Sequence, residues 1–156
     1  MKKLFSILTG VALTAAIFST TSCTKTCDAG YEGSDCKTEV RAKYVGNWTE
    51  SGTWTATTSP ATNGSVPATA VTVSTATSIN DINAAFTFNS VNYSYKRTMG
   101  SDGKTFTMSS QTQADGSTLT GSGSFPSATT VSEVITLTYT TPSAFVVTIT
   151  LTGSKI

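Results

Sequence analysis

The chain has 156 residues, a formal net charge of +1 and only 12% charged side chains, so it lacks the basic stripe that nucleic acid demands and is not expected to bind it. It contains no histidine, which removes the commonest general base and transition-metal ligand together, and no GxSxG, P-loop, HExxH or DxDxDG pattern occurs. Beyond residue 43 the only acids are Glu50, Asp81, Asp102, Asp115 and Glu133; no catalytic residue, metal ligand or cofactor is assigned, and a non-enzymatic protein is expected.

The first element is a leader. Met1-Lys2-Lys3 is basic, Leu4 to Phe18 is apolar and uncharged, and Ser19 to Ser22 are small residues ending at Cys23, the layout of a bacterial secretory signal. The apolar run falls short of the ~20 residues that span a bilayer. The small residues before Cys23 resemble the lipobox of bacterial lipoproteins, with Thr20 where that family usually has Leu. The resemblance implies that residues 1–22 are removed and that Cys23 is lipidated. It puts the protein in the cell envelope, anchored to a membrane, expectedly the outer one, facing the periplasm or the surface. The alternative is an ordinary cleaved signal that leaves Cys23 as a thiol.

With Cys23 used as an anchor, Cys27 and Cys36 remain as an even pair in an exported chain. Between them Gly30 and Gly33 flank Tyr31-Glu32, which suits a tight double turn. The pattern C-x2-GYEG-x2-C resembles the last disulfide loop of an EGF-like module, without that module's other four cysteines. A ring closed by this one bridge would contribute about 2 to 3 kcal/mol. It is either a collar or recognition knob, or a stapled spacer holding the following domain off the membrane; the spacer is the expectation. Lys37, Arg41 and Lys43, interleaved with Glu39, read as a solvated linker. Residues 23–43 thus form a tether.

From Tyr44 onward the chain is rich in Thr, Ser, Val and aromatics, which suit a pleated surface, and apolar residues recur with period two. Val131, Glu133, Ile135, Leu137 and Tyr139 share one face, as do Phe145, Val147, Ile149 and Leu151. Ser59 to Pro67, containing Asn63-Gly64, reads as a long loop, and Asn80-Asp81, Asn89 to Asn92, Ser101-Asp102-Gly103, Asp115-Gly116, Pro126 and Thr141-Pro142-Ser143 mark turns. The spacing predicts eight strands, at 44–57, 68–76, 84–89, 91–99, 104–113, 117–125, 131–141 and 144–153. Short connections pair neighbours, so residues 44–156 are expected to form an all-β, eight-stranded antiparallel up-and-down meander barrel. Roughly 134 residues after the leader suffice for one such domain.

Tyr44-Val45-Gly46-Asn47-Trp48 carries G-x-W on the first of these strands, as lipocalins and other calycins do. Together with the half-EGF ring and the later TLTGSGSF and ITLTYTT stretches, the mature chain resembles the small calycin-like lipoproteins of the Bacteroidota. Lipocalins set an arginine from the last strand against the G-x-W tryptophan; residues 144–153 contain no basic residue, so the closed end needs another cap.

Period two turns Tyr93, Tyr95 and Arg97 inward, and Glu50 inward between Trp48 and Trp54. Arg97 is expected to pair with Glu50 or Glu133, or to stack on a tryptophan, because a buried guanidinium is rarely left alone. Trp48, Glu50, Trp54, Tyr93, Tyr95 and Arg97 are the candidate ligand-binding residues of an amphipathic pocket; the alternative is a filled barrel. Gly121 and Gly123 either let their strand coil or leave room beneath a tryptophan, with coiling the expectation. The protein is thus expected to be a monomeric lipid-anchored barrel that binds a small apolar or glycan ligand or an envelope partner. The alternative is a packed barrel acting by surface contact with a macromolecule.

Overall fold

The computed structural model describes residues 26–58, 60–140 and 143–156; the leader and Cys23 lie outside the described residues. A two-stranded ribbon comes first, β1 at Tyr31–Glu32 and β2 at Thr38–Glu39, followed by a 3-10 helix at Val40–Tyr44. Eight strands then follow: β3 Gly46–Ala56, β4 Thr62–Thr75, β5 Asp81–Phe88, β6 Val91–Met99, β7 Thr105–Thr112, β8 Thr118–Ser127, β9 Thr130–Tyr139 and β10 Phe145–Lys155. They close into a barrel in meander order, with β10 paired antiparallel to β3 from Val147↔Ala56 to Lys155↔Trp48. Ile82, Ala84, Phe86 and Phe88, then Tyr93 and Tyr95, and later Ile135, Leu137, Ile149 and Leu151 are buried inside. Outward residues are mostly hydroxylic: Thr148 lies between Thr55 and Thr136. This oily interior and hydroxyl exterior reverse the pattern of a membrane-spanning barrel, whose lipid-facing band is apolar.

The expected loop at residues 59–67 is corrected. From Thr62 the chain is already strand, with Asn63 opposite Thr55 and Gly64 opposite Trp54. The register slips between Glu50 and Gly52, leaving Pro67 and Ala68 together across from Ser51. A bulge is where a strand tolerates proline, since no ladder hydrogen bond is lost there. Pro126 is handled likewise, at a slip between Ser124 and Ser127 in the pairing of β8 with β9.

The expectation of a solvated linker is also corrected, at Arg41. Cys27 and Cys36 form a disulfide, but residues 26–44 lie against the end of the barrel. Arg41 is buried and donates to the carbonyls of Ala76, Ser78 and Asp81, with Nε 2.9 Å from Glu39. Val40 N–H donates to Gly30 O at 2.9 Å, and Lys43 Nζ reaches Glu32 at 2.8 Å. Gly30, at φ +90°, sits so close to Ile79 and Asn80 that an added Cβ would come within 2.7 Å of Asn80 Oδ1. Arg41 thus latches this segment to the barrel as a lid, and Lys43 ties the lid to itself.

The wall is not uniformly closed. The β5–β6 hairpin turns on Asn89 and Ser90, at φ 47° and 66°, the left-handed pair that matches strand twist in a two-residue hairpin loop. Its two strands pair along their whole length, from Asp81↔Thr98 to Phe88↔Val91. Towards its neighbours it is held only near the lid: β4 and β5 pair from Thr72↔Ala85 to Thr75↔Ile82, and β6 and β7 at Thr98↔Thr107 and Met99↔Phe106.

Candidate functional site

Three constellations share the barrel: a charged cluster in its core, the lidded end and the opposite rim. In the core, Glu50 on β3, Tyr95 and Arg97 on β6 and Glu133 on β9 all point inward, as period two requires. Arg97 Nη2 is 2.6 Å from Glu133 Oε2, 3.4 Å from Glu50 Oε1 and 3.0 Å from the Tyr95 hydroxyl. Tyr95 OH donates to Glu133 Oε1 at 2.9 Å. The guanidinium carbon also lies over Phe106, Tyr95 and Phe125, with centroid distances of 5.0, 5.3 and 5.9 Å. Nε and Nη1 donate no hydrogen bond among the described residues, and these ring faces are what partly compensates them.

The backbone makes room for this cluster at glycines. A Cβ on Gly153 would come within 2.4 Å of Glu50 Cγ, and one on Gly123 within 2.4 Å of Phe106 Cζ and 2.7 Å of Glu133 Cβ. Gly123 therefore clears space for a phenylalanine and a glutamate, not beneath a tryptophan. Two acids around one guanidinium cannot both ionise cheaply in a medium this dry. Burial, then the charge of Glu133, push the Glu50 carboxyl up to about 8 against the opposing pull of Arg97. For Arg97, burial works against the charge, but Glu133, Tyr95 and Glu50 outweigh it and raise its proton affinity further. The cluster is a sealed, proton-holding polar knot. Arg97 is 0% exposed and Glu50 and Glu133 are each 1% exposed, so the cluster is closed off from bulk water.

At the lidded end, Trp48 donates from Nε1 to the Tyr44 carbonyl at 2.9 Å. Tyr44 stacks on Phe125 with centroids 3.9 Å apart, and Trp48 meets the same ring at 5.6 Å. Phe125 thus stands between the tryptophan of G-x-W and Arg97, and this aromatic layer caps the end that lacks a last-strand arginine. Outside it, a cleft of about 280 Å³ separates the disulfide ring from the barrel loops, lined by Asp28, Tyr31, Val40, Ile79, Met99 and Ser101 among others.

At the opposite rim the Tyr93 and Tyr139 hydroxyls lie 2.9 Å apart and both reach Asp115 Oδ2, at 2.8 and 3.1 Å. Ser117 satisfies the other oxygen of that carboxylate through its N–H and its hydroxyl. Tyr139 stacks on Phe145 at 4.4 Å, and Trp54 meets Phe88 edge-on at 6.0 Å.

The six candidate residues are therefore divided. Trp48, Glu50, Tyr95 and Arg97 lie in the core and beneath the lid, Tyr93 belongs to the rim network, and Trp54 is half-buried at the rim. Asp115, Tyr139 and Phe145 escape sequence reasoning as rim residues because strand alternation gives a residue's face but not its height in the barrel. The eight-stranded antiparallel barrel is compatible with a calycin-like fold. No family model matches the chain, and no curated protein is found to be similar to it.

Proposed function

We propose that this is a non-enzymatic envelope lipoprotein, anchored through Cys23, whose filled calycin-like barrel acts by surface contact with an envelope macromolecule. The observation that supports this reading is the packing of the interior: Trp48, Arg97, Leu119, Phe125, Ile135, Leu137 and Ile149 are each 0% exposed, which leaves no internal space for a small ligand between them. Cys27 lies four positions after Cys23, a reach of at most ~14 Å. An anchored chain therefore rests its lidded end near the bilayer and turns the Trp54 and Tyr139 rim outward.

A second reading is supported by that rim. Half-buried Trp54, Tyr139 and Phe145 offer flat faces to a small apolar or glycan ligand held at the mouth, not in the core. Two experiments separate the readings. Chemical crosslinking of intact cells should join the protein to an envelope macromolecule, whereas native mass spectrometry of the purified mature protein should find the bare polypeptide mass. A co-purifying small molecule would favour the rim-ligand reading. Cys23→Ser should move the protein into the soluble envelope fraction; retention after a carbonate wash would refute the anchor.

A further inference from the structure

The hairpin β5–β6 is joined to β7 through main-chain pairing only near the lid, at Thr98↔Thr107 and Met99↔Phe106. Continuing that register would set Lys96 against Ser109 and Ser94 against Gln111. Instead β7 bulges, with its pairing to β8 slipping between Met108 and Gln111. The backbone groups on the β7-facing edge of β6 are met by side chains. Gln111 Oε1 accepts from Lys96 N–H at 2.6 Å while Gln111 Nε2 donates to Lys96 O at 2.9 Å. Gln113 Oε1 accepts from Ser94 N–H at 3.3 Å, and Gln113 Nε2 returns a bond to Gln111 O at 3.3 Å. A residue whose N–H and C=O are both satisfied by one facing amide is the pattern of a hydrogen-bonded antiparallel pair. The two glutamine carboxamides stand where the peptide groups of an intervening strand would stand.

We propose that the β6–β7 seam is an acceptor for an extended polypeptide strand of a partner, which displaces the Gln111 and Gln113 carboxamides and adds a ninth strand to the wall. The proposal rests on the surface-contact reading above and specifies the partner's chemistry. Main-chain hydrogen bonding supplies affinity in such strand addition, and alternate side chains supply selectivity. Inward neighbours at the seam are Tyr93, Tyr95 and Met108, and outward ones are Ser94, Lys96 and Ser109, so the fitting strand alternates apolar and hydroxylic residues. Adding a strand enlarges a barrel's circumference, and the newcomer's own inward side chains occupy the space gained. The hairpin can yield because β4 also grips β5 only from Thr72↔Ala85 to Thr75↔Ile82.

The test is a titration of isotope-labelled mature protein, in detergent, with an acetylated and amidated Thr-Val octapeptide, followed by amide NMR. The expected result is a set of shifts centred on the backbone amides of Ser94 and Lys96 and on the side-chain amides of Gln111 and Gln113. The same peptide N-methylated at each valine, unable to pair along one edge, should lose at least tenfold in affinity. Combined Gln111→Ala and Gln113→Ala should tighten binding of the unmethylated peptide at least threefold, since the competing carboxamides are gone. Shifts that avoid Ser94 and Lys96, or equal binding of the methylated peptide, would overturn the proposal, and the parent titration decides this even if the variant folds poorly. Peptide binding at the seam without any crosslinked envelope macromolecule sinks the surface-contact reading alone. A crosslinked partner held equally by parent and variant, with no seam shifts, sinks the seam alone.

Discussion

Arg97 holds Glu133 at 2.6 Å in the barrel core, with a second carboxyl group, that of Glu50, at 3.4 Å from the same nitrogen. Replacing one partner of such a pair leaves an uncompensated buried charge. Arg97→Met should therefore destabilise the barrel by about 3 to 5 kcal/mol, read from the urea midpoint. Adding Glu133→Gln should recover a large part of that loss. A single variant as stable as the parent would show that the ion pair is dispensable to the fold.

The raised Glu50 carboxyl fixes the sign of a pH effect. Its folded value of about 8 lies above the ordinary 4.5, so the folded state binds a proton that the unfolded chain has released between these limits. Its contribution to stability is complete below pH 4.5, falls as pH rises towards 8 and levels off above it. One proton corresponds to a slope of about 1.4 kcal/mol per pH unit inside that window. Urea denaturation from pH 5 to 9 should show the decline, and Glu50→Gln should flatten it. Stability that rises with pH over this range in the parent would contradict the assignment.

Arg41 reaches three backbone carbonyls, of Ala76, Ser78 and Asp81. Hydrogen bonds to a charged donor each contribute about 1.5 to 3 kcal/mol, so Arg41→Ala should unlatch residues 26–44. Tryptic cleavage at Lys37 should accelerate at least tenfold. An unchanged cleavage rate would return this segment to the status of an independent spacer.

Gly123 is a contact position. In Gly123→Ala the new methyl would stand 2.4 Å from Phe106 Cζ and 2.6 Å from Ser132 O, and overpacking of this kind costs about 1 to 3 kcal/mol. A thermal midpoint lowered by several degrees is expected. A neutral outcome would mean that β8 can shift away from β9 without loss.

Alternation made the eight strands legible, and it placed Arg97, Glu50 and Glu133 on inward faces because only two directions exist for a strand side chain. It failed at β4. Asn63-Gly64 and Pro67 carry turn chemistry, and nothing local announces that a bulge across from Ser51 absorbs the proline. Arg41 looked like a solvated cation because its partners are main-chain carbonyls some forty residues away, which leave no mark in composition. The seam was invisible for a related reason: whether a peptide group is met by another peptide or by a glutamine depends on how two strands diverge in space.

The closing pair of the barrel joins segments about a hundred residues apart, from Val147↔Ala56 to Lys155↔Trp48, and pairing over such separations slows folding. Synthesis from the amino terminus delivers β3 early and β10 last. Until Phe145–Lys155 has arrived, β3 and β9 both remain bare edges that can pair with other chains. The nascent protein thus spends its synthesis as an open, sticky sheet, and its vulnerability to aggregation is set by the delivery time of its final strand more than by the stability of the finished barrel.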